Sequence, residues 1–520
     1  MNTLEKPDYF VSPREMQNGR HAAESTSSTA SAELKVISLI CVLASVHIFI
    51  FSAIFPPANQ VDEYLHLDVA VQYSHGIVPG WAGLISPETM YYVVRYGSLE
   101  YCFAPDDLPE KKYPPPFWTL STDKAAKLLV ANRKNWERPN YESSQPPLYY
   151  VIAACWWHAG HWLGLKDANL FYWLRFLDIL IVAATIVLAY VTARFLFPEN
   201  VFLRLGVPAL IALMPQSEFY SIDNDALSPL CFGLTFLFLL KWWQKPSATG
   251  AAAIGLAFAA TYLTKITNLP LLAVICATIA LKAGQAIRDG EWQAMSPSLV
   301  AFFCCTAPPI VLWMLWCKFH YCNFFGNLNV LCCGWTIKPF AQWWHHPIYS
   351  PSGLWTYLSG QLGTYWQGEF WWHGQERRMS LPGTDSIYTA LSLFLLVMAT
   401  PALSARFSNI APGQRLAMQT GLACVLAGLA FFAVSSVVYD FQNCIDPSRQ
   451  HPFFHAGRMI LGTLIPFLLL FVYGLDRLLN RFRTAAKFIT LAGMMSAMLA
   501  VEIVTDWPAF FSQYNWFHAP

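Results

Sequence analysis

Long apolar runs without a formal charge recur along this chain, and they decide what it can fold into. Residues 36–55 give 20 consecutive positions with no charged side chain, enough for one helix across a ~30 Å hydrocarbon layer. Comparable runs stand near 172–195, 204–221, 225–243, 248–264, 266–284, 296–317, 385–405, 416–438, 458–476 and 485–503. With the first, they predict about eleven transmembrane helices. Composition agrees, at 55% hydrophobic and 12% charged residues, against roughly 25% charged in soluble domains. One soluble core stops growing near ~250–300 residues, so lipid must solvate much of this 520-residue chain. A backbone in lipid has to satisfy its own hydrogen bonds, and the expected fold class is therefore all-α and polytopic. A soluble enzyme, a disordered scaffold and a small disulfide-stapled secreted protein are excluded. The net charge of +1 leaves no basic footprint, so no nucleic-acid partner is expected. Thirteen cysteines are scattered without a zinc-binding spacing. Cys41, Cys231, Cys276, Cys304 and Cys305 sit inside apolar runs, as small hydrophobes do.

Basic residues set the orientation. Residues 1–35 read as a flexible cytoplasmic tail, because Arg14, Arg20 and Lys35 precede the first run. The stretch 146–165, PPLYYVIAACWWHAGHWLGL, decides the parity of every later span. If it lies in the interface, Arg194, Arg204, Lys241, Lys245, Lys282, Arg288, Arg406, Arg415, Arg477, Arg481, Arg483 and Lys487 all face the cytoplasm. If it spans, all of them face outward. The positive-inside rule selects the interfacial helix, and the Trp and His content suits it. The expected domain therefore covers 36–505, with external loops at 56–170 and 318–384 and a short external tail at 506–520. The second loop holds Trp343, Trp344, Trp355, Trp366, Trp371 and Trp372. They fit an aromatic belt at the headgroups or a sugar platform at the membrane surface. Cys102, Cys322, Cys332, Cys333 and Cys444 also fall outside, and sequence cannot pair them.

Ionisable residues gather on that outer side. Asp62, Glu63 and His66 follow the first run, and Glu142 and Gln145 close the first loop. Arg175 and Asp178 open the second run, and Asp223, Asn224 and Asp225 lie between the third and fourth. Lys265 marks the turn between the fifth and sixth, and Arg458 begins the tenth after a loop with Asp440, Asp446, Arg449, His451 and His455. Charges at membrane depth are costly and mark sites or pathways. A carboxylate can take a proton from a hydroxyl, and Arg and Lys can hold a phosphate. Ordinary roles compete for every residue. Asp62, Asp223 and Asp225 are good helix caps, and Arg175 and Asp178 stand i,i+3 as an ion pair would. Lys265 and Arg458 can snorkel to headgroups, and His66 with Asp62 is too small a set to name a metal site.

The pattern resembles the GT-C superfamily of polytopic glycosyltransferases. The residues that carry it are VDEYLH at 61–66 and ESSQPPLYY at 142–150. It is closest to a family of bacterial membrane proteins with GT-C character. That family's elements read here as Asp62-Glu63-x-x-His66, QPPLYY at 145–150, NDAL at 224–227, KITNLP at 265–270 and Gly457-Arg458. The GEFWWHGQERR stretch at 368–378 matches its Gly/Phe/Trp-rich loop only loosely. The resemblance implies an inverting transfer of a sugar from a polyprenyl-phosphate donor to a glycan or lipid acceptor of the cell envelope. The site would face out of a bacterial cytoplasmic membrane, with membrane lipids around it. It implies Asp62 as general base with Glu63 as second choice, and Arg458, Lys265 and Arg175 on the donor phosphate. Glu142, Gln145, His66, Asp223 and Asp225 complete the expected substrate site. No cofactor is named, a divalent metal is left open, and its ligands are unknown. A transporter or flippase of lipid-linked sugar is the competing class, and would need polar groups at midplane in two corresponding halves. A diphosphate-donor ligase or polymerase is a third class, and a non-catalytic subunit a fourth.

Overall fold

The computed structural model describes residues 13–108, 110–127, 130, 139–326, 328–373, 380–406, 410–442, 444 and 446–520, with the side chains of 13–30, 329 and 331 left aside. The first twelve residues of the expected tail and the GQERR end of the 368–378 stretch fall outside them. The chain is 73% helical, with one two-stranded sheet of two residues per strand among the described residues. It is an all-α polytopic membrane protein. Nine of the described helices are long and apolar enough to cross a membrane, and Val201–Ala212 and Ala248–Thr264 are shorter apolar helices. Each of the expected runs overlaps one of these helices.

Helix α1 (Pro13–Ile54) reaches back into the segment expected as a tail. Its inward stripe is Ile37, Ile40, Ala44, Ile48 and Phe51, all buried, while Leu39, Val42, Leu43 and Val46 stay exposed. A spacing of three and four puts one face on the protein and the other toward lipid. After α2 (Glu63–Ser74) and α3 (Pro87–Tyr96), α4 (Leu148–Trp162) has 15 residues. That is about 22 Å of helix, and α4 packs on α2 and α5 (Asp167–Arg175). Helix α6 (Leu177–Leu196) packs on α1 and on α7 (Val201–Ala212).

The structure corrects the third expected run. Helix α7 stops at Ala212, not near 221, and 214–223 continue as turns although every one of them is buried. Pro215 explains the stop, since it disfavours helical backbone before it and supplies no N–H. Irregular backbone at membrane depth survives only where protein encloses it, and protein encloses this stretch on all sides.

The remaining helices are α8 (Ser228–Gln244), α9 (Ala248–Thr264), α10 (Leu269–Arg288), α11 (Trp292–Tyr321), α12 (Pro351–Gln367), α13 (Thr384–Ala399), α14 (Pro412–Val438), α15 (Leu464–Leu478) and α16 (Thr484–Thr505). Helix α15 is the hub, with Leu464 through Leu475 all buried against α7, α8, α13 and α14. A helix apolar on all sides belongs in such an interior. On α16 only Leu491, Met498 and Glu502 are buried, so it stands at the lipid edge. Strands β1 (Thr336–Ile337) and β2 (Tyr439–Asp440) pair antiparallel and join the 318–384 segment to the turn before Arg458. The tryptophans of that segment divide: Trp344 and Trp355 are exposed as a belt requires, whereas Trp366 and Trp372 are core residues.

Candidate active site

The site grows from the C-terminal end of α1. A helix ends with carbonyls that lack intrahelical donors, and Arg175 answers them. Its guanidinium donates to Ser52 O at 2.8 Å, to Phe55 O and to Pro56 O at 2.9 Å. The other side of the fork donates to both oxygens of Glu63 at 2.6 Å each. The backbone N–H of Ile222 adds a third donor to Glu63 at 3.2 Å. This pair is fully buried and closed. Glu63 and Arg175 thereby clamp α1, α2 and the chain at 222 together. Asp178 is left without its i,i+3 partner, because Glu63 takes the guanidinium; neither Asp178 oxygen has a hydrogen-bond partner among the described residues.

Held by that clamp, Asp62 adopts φ 60° at the N-cap position of α2, yet its side chain makes no capping bond. Left-handed backbone in a residue other than glycine is sustained only when the surroundings over-determine it, and such residues cluster at functional sites. The carboxylate instead accepts from Tyr141 Oη at 2.6 Å and from Arg458 Nη2 at 2.9 Å. Arg458 also lies 3.3 Å from Asp223, 3.2 Å from Glu369 and 3.9 Å from Glu218. Gly457 permits this approach: a Cβ there would fall 2.1 Å from the Tyr365 backbone N on α12. Gly368, at φ 69°, does the same for Glu369, whose N–H donates to Ser217 Oγ at 2.9 Å.

A second cation closes the other side. Lys265 donates to Asp225 and lies 3.9 Å from Asp223. Asp223 both caps its own turn, accepting from Asp225 N at 2.7 Å, and faces His66 Nε2 at 3.1 Å. His66 Nδ1 pairs with Tyr150 Oη at 2.7 Å. Gln145 donates to Glu142 at 2.6 Å and accepts from Asn224 at 3.4 Å. The short elements of the sequence therefore converge: Asp62, His66, Glu142, Gln145, Asp223, Asp225, Lys265 and Arg458 share one buried polar network, and Glu63 and Arg175 border it. Tyr141, Tyr150, Glu218 and Glu369 were not singled out from the sequence. Glu218 stood inside a supposed span, where a carboxylate is itself a flag.

Charge controls the network. Burial would push the Asp62 carboxyl up, but Arg458, the Tyr141 hydrogen bond and His66 together hold it below the usual carboxylate range. Burial would lower His66, and Asp223 and Glu142 override it and raise the imidazole. Glu142 and Glu369 are pushed up by burial, which His66 and Arg458 only partly oppose. Glu218, Asp223 and Asp225 present oxygens within 4.8 Å of one another, a set that would suit a hard divalent cation. His66, Lys265 and Arg458 already occupy part of its capacity.

No family model matches the chain, and no curated protein does. Among solved structures it is similar to ArnT from Cupriavidus metallidurans, crystallised with undecaprenyl phosphate bound. The two share 13% identity over 80% of this chain and 77% of that one, with a TM-score of 0.26.

The clamp and the imidazole each lead to a measurable outcome. Glu63→Gln strands a buried guanidinium and costs about 3–5 kcal/mol of stability; thermal melts and folded yield in detergent report it. A wild-type melt would deny the clamp. His66 has a raised folded pKa. Its contribution is full below its unfolded value of ~6.5 and disappears as pH rises through the folded one. Melts from neutral to alkaline pH should fall for the wild type on that limb, and His66→Asn should flatten it.

Proposed function

We propose that the protein is a GT-C-type membrane glycosyltransferase. It moves a sugar from a polyprenyl-phosphate donor to a glycan or lipid acceptor of the cell envelope, at the outer face of the cytoplasmic membrane. The observation that carries this reading is the contact of Asp62 with Arg458, 396 residues apart in sequence, at 2.9 Å inside one buried polar network. An acid and a cation brought together from opposite ends of the chain offer a base and a phosphate ligand at one place.

A groove beside the network supports a lipid donor. Trp366, Ile387, Tyr388, Leu391, Met494 and Met498 line an apolar cavity of about 230 Å³ between α13 and α16. Val501 belongs both to this cavity and to a smaller one lined by Ser217 and Gln367. Ser217 in turn holds the Glu369 backbone beside Arg458. An isoprenoid chain in the groove would bring its phosphate toward the cations.

In the proposed step the donor phosphate takes Arg458 and Lys265. Arg458 exchanges Asp62 for phosphate, and the carboxyl, released from its strongest opposing charge, rises from its depressed value toward one that accepts a proton. The acceptor hydroxyl oxygen forms a bond to the anomeric carbon. The bond from that carbon to the phosphate oxygen breaks on the opposite face, with its electron pair leaving on phosphate. The hydroxyl proton passes to Asp62. A single displacement inverts the anomeric centre, and a phosphate already matched by cations needs no general acid. Tyr141 orients Asp62, and Asp223, His66 and Glu142 hold the walls.

The experiment is product analysis with purified protein, a panel of polyprenyl-phosphate sugars and envelope acceptors, with and without chelator. Asp62→Asn should lower turnover ~10²–10⁴-fold, the range of general-base help, while donor binding is kept or tightened, because phosphate no longer has to displace a carboxylate from Arg458, and the chain stays folded, because Asp223, Glu218 and Glu369 still surround the guanidinium. Undiminished transfer by Asp62→Asn would remove Asp62 as base. Turnover with diphosphate donors alone would move the protein to the ligase class.

A further inference from the structure

Two thiols meet where the 318–384 segment joins the turn before Arg458. β1 and β2 place Thr336 opposite Asp440 and Ile337 opposite Tyr439. In an antiparallel pair, stepping back along one strand matches stepping forward along the other. The register persists beyond the ladder: Gln442 Nε2 donates to Thr336 Oγ1 at 2.9 Å, and the Trp335 ring meets Phe441 edge-on at 5.3 Å. The ladder carries Cys333, three residues before β1, and Cys444, four residues after β2, to the same end of the pair; strict register sets Cys444 opposite Cys332, and the contact between the Cys333 and Cys444 side chains selects Cys333. Their side chains lie within hydrogen-bonding reach of each other, and both are half-buried, open to a water-borne reagent. The Cys333 thiol, helped by the Trp335 side chain, holds the Cys444 pKa down to about 6. A thiol so lowered is ionised at neutral pH and is the ready nucleophile.

We propose that Cys333 and Cys444 form a disulfide that fastens the 318–384 segment to the turn leading into Arg458. The oxidant is a disulfide-bearing thiol oxidant. The Cys444 thiolate attacks one of its sulfurs and expels the other as thiolate. Cys333, losing its proton, then attacks the Cys444 sulfur and expels the second thiolate. Two protein thiols are oxidised, one oxidant disulfide is reduced to two thiols, and the protons pass to the released thiolates. The bridged turn also carries Asp446, 3.4 Å from His455, so the bond steadies the backbone that delivers Arg458. The inference rests on the proposed outward orientation but not on sugar transfer. Cys332, exposed beside Cys333, is the competing partner.

The test uses the full-length protein in intact cells. A membrane-impermeant maleimide is applied before and after a reductant, followed by peptide mapping without reduction. The expected result is a linked Cys333–Cys444 peptide, with labelling of both thiols lost unless they are first reduced. Cys333→Ser should let Cys444 react without reductant. Free labelling of both wild-type thiols from outside would overturn the pairing and leave the sugar-transfer reading standing. A Cys332–Cys444 link would overturn it as well. Labelling that requires permeabilised membranes would overturn the disulfide and the outward-facing site together.

Discussion

The structure depends on how a guanidinium is buried inside the protein. An unpaired charge in a low-dielectric interior is strongly unfavourable. Arg458, 8% exposed, meets this with Asp62, Asp223, Glu218 and Glu369 around its fork. Those carboxylates come from the start of α2, the irregular stretch after α7 and the chain after α12. One side chain thus fixes the relative places of segments that share no sequence neighbourhood. Loss of this centre would leave four carboxyls facing one another, so the network and the local fold are the same construction.

Such a centre needs backbone that regular helices cannot supply. A transmembrane helix satisfies its own N–H and C=O groups and presents side chains only radially. The network therefore sits where helices stop: at the carbonyl end of α1, in the buried turns at 214–223, at the Lys265 break between α9 and α10, and at the Gly457 approach before α15. At each break freed backbone groups find a local partner. Arg175 takes the α1 carbonyls, and Asn224 Nδ2 donates to the Thr264 carbonyl at 3.0 Å. The clamp of Glu63 and Arg175 is the part that does not face the network's centre, yet it sets the angle at which Asp62 enters.

Much of this was legible in the sequence. Apolar run length identified the helices, because crossing lipid imposes a length and a composition that few other constraints mimic. Asp62, His66, Lys265 and Arg458 stood out because each is ionisable at the end of an apolar run. The pairing was not legible. Arg175 has Asp178 one turn away, and local spacing favours that pair, but the carbonyls at the end of α1 and Glu63 offer a fuller set of acceptors from far along the chain. Run length likewise misjudged α7, since hydropathy counts Met214 and Phe219 as membrane residues whether or not Pro215 lets them be helical. Glu369 was hidden because its role comes from a glycine with positive φ, which composition does not reveal.

The resting network also constrains how any anion would enter it. Arg458, Lys265 and His66, whose pKa is raised, face the carboxyl groups of Asp62, Glu142, Glu218, Asp223, Asp225 and Glu369. With every carboxyl ionised the acids outnumber the cations, and a phosphate would be repelled. Burial raises Glu142 and Glu369, which favours their neutral forms and so eases part of the excess. The Glu218, Asp223 and Asp225 trio could lose the rest to a divalent cation. On the proposed reading, donor phosphate does not simply add to a prepared cationic pocket. It displaces Asp62 from Arg458, and a proton or a cation must accompany it to keep the buried charge balanced. Binding and activation of the base then become one event, because the exchange that seats the phosphate is the exchange that frees the carboxylate.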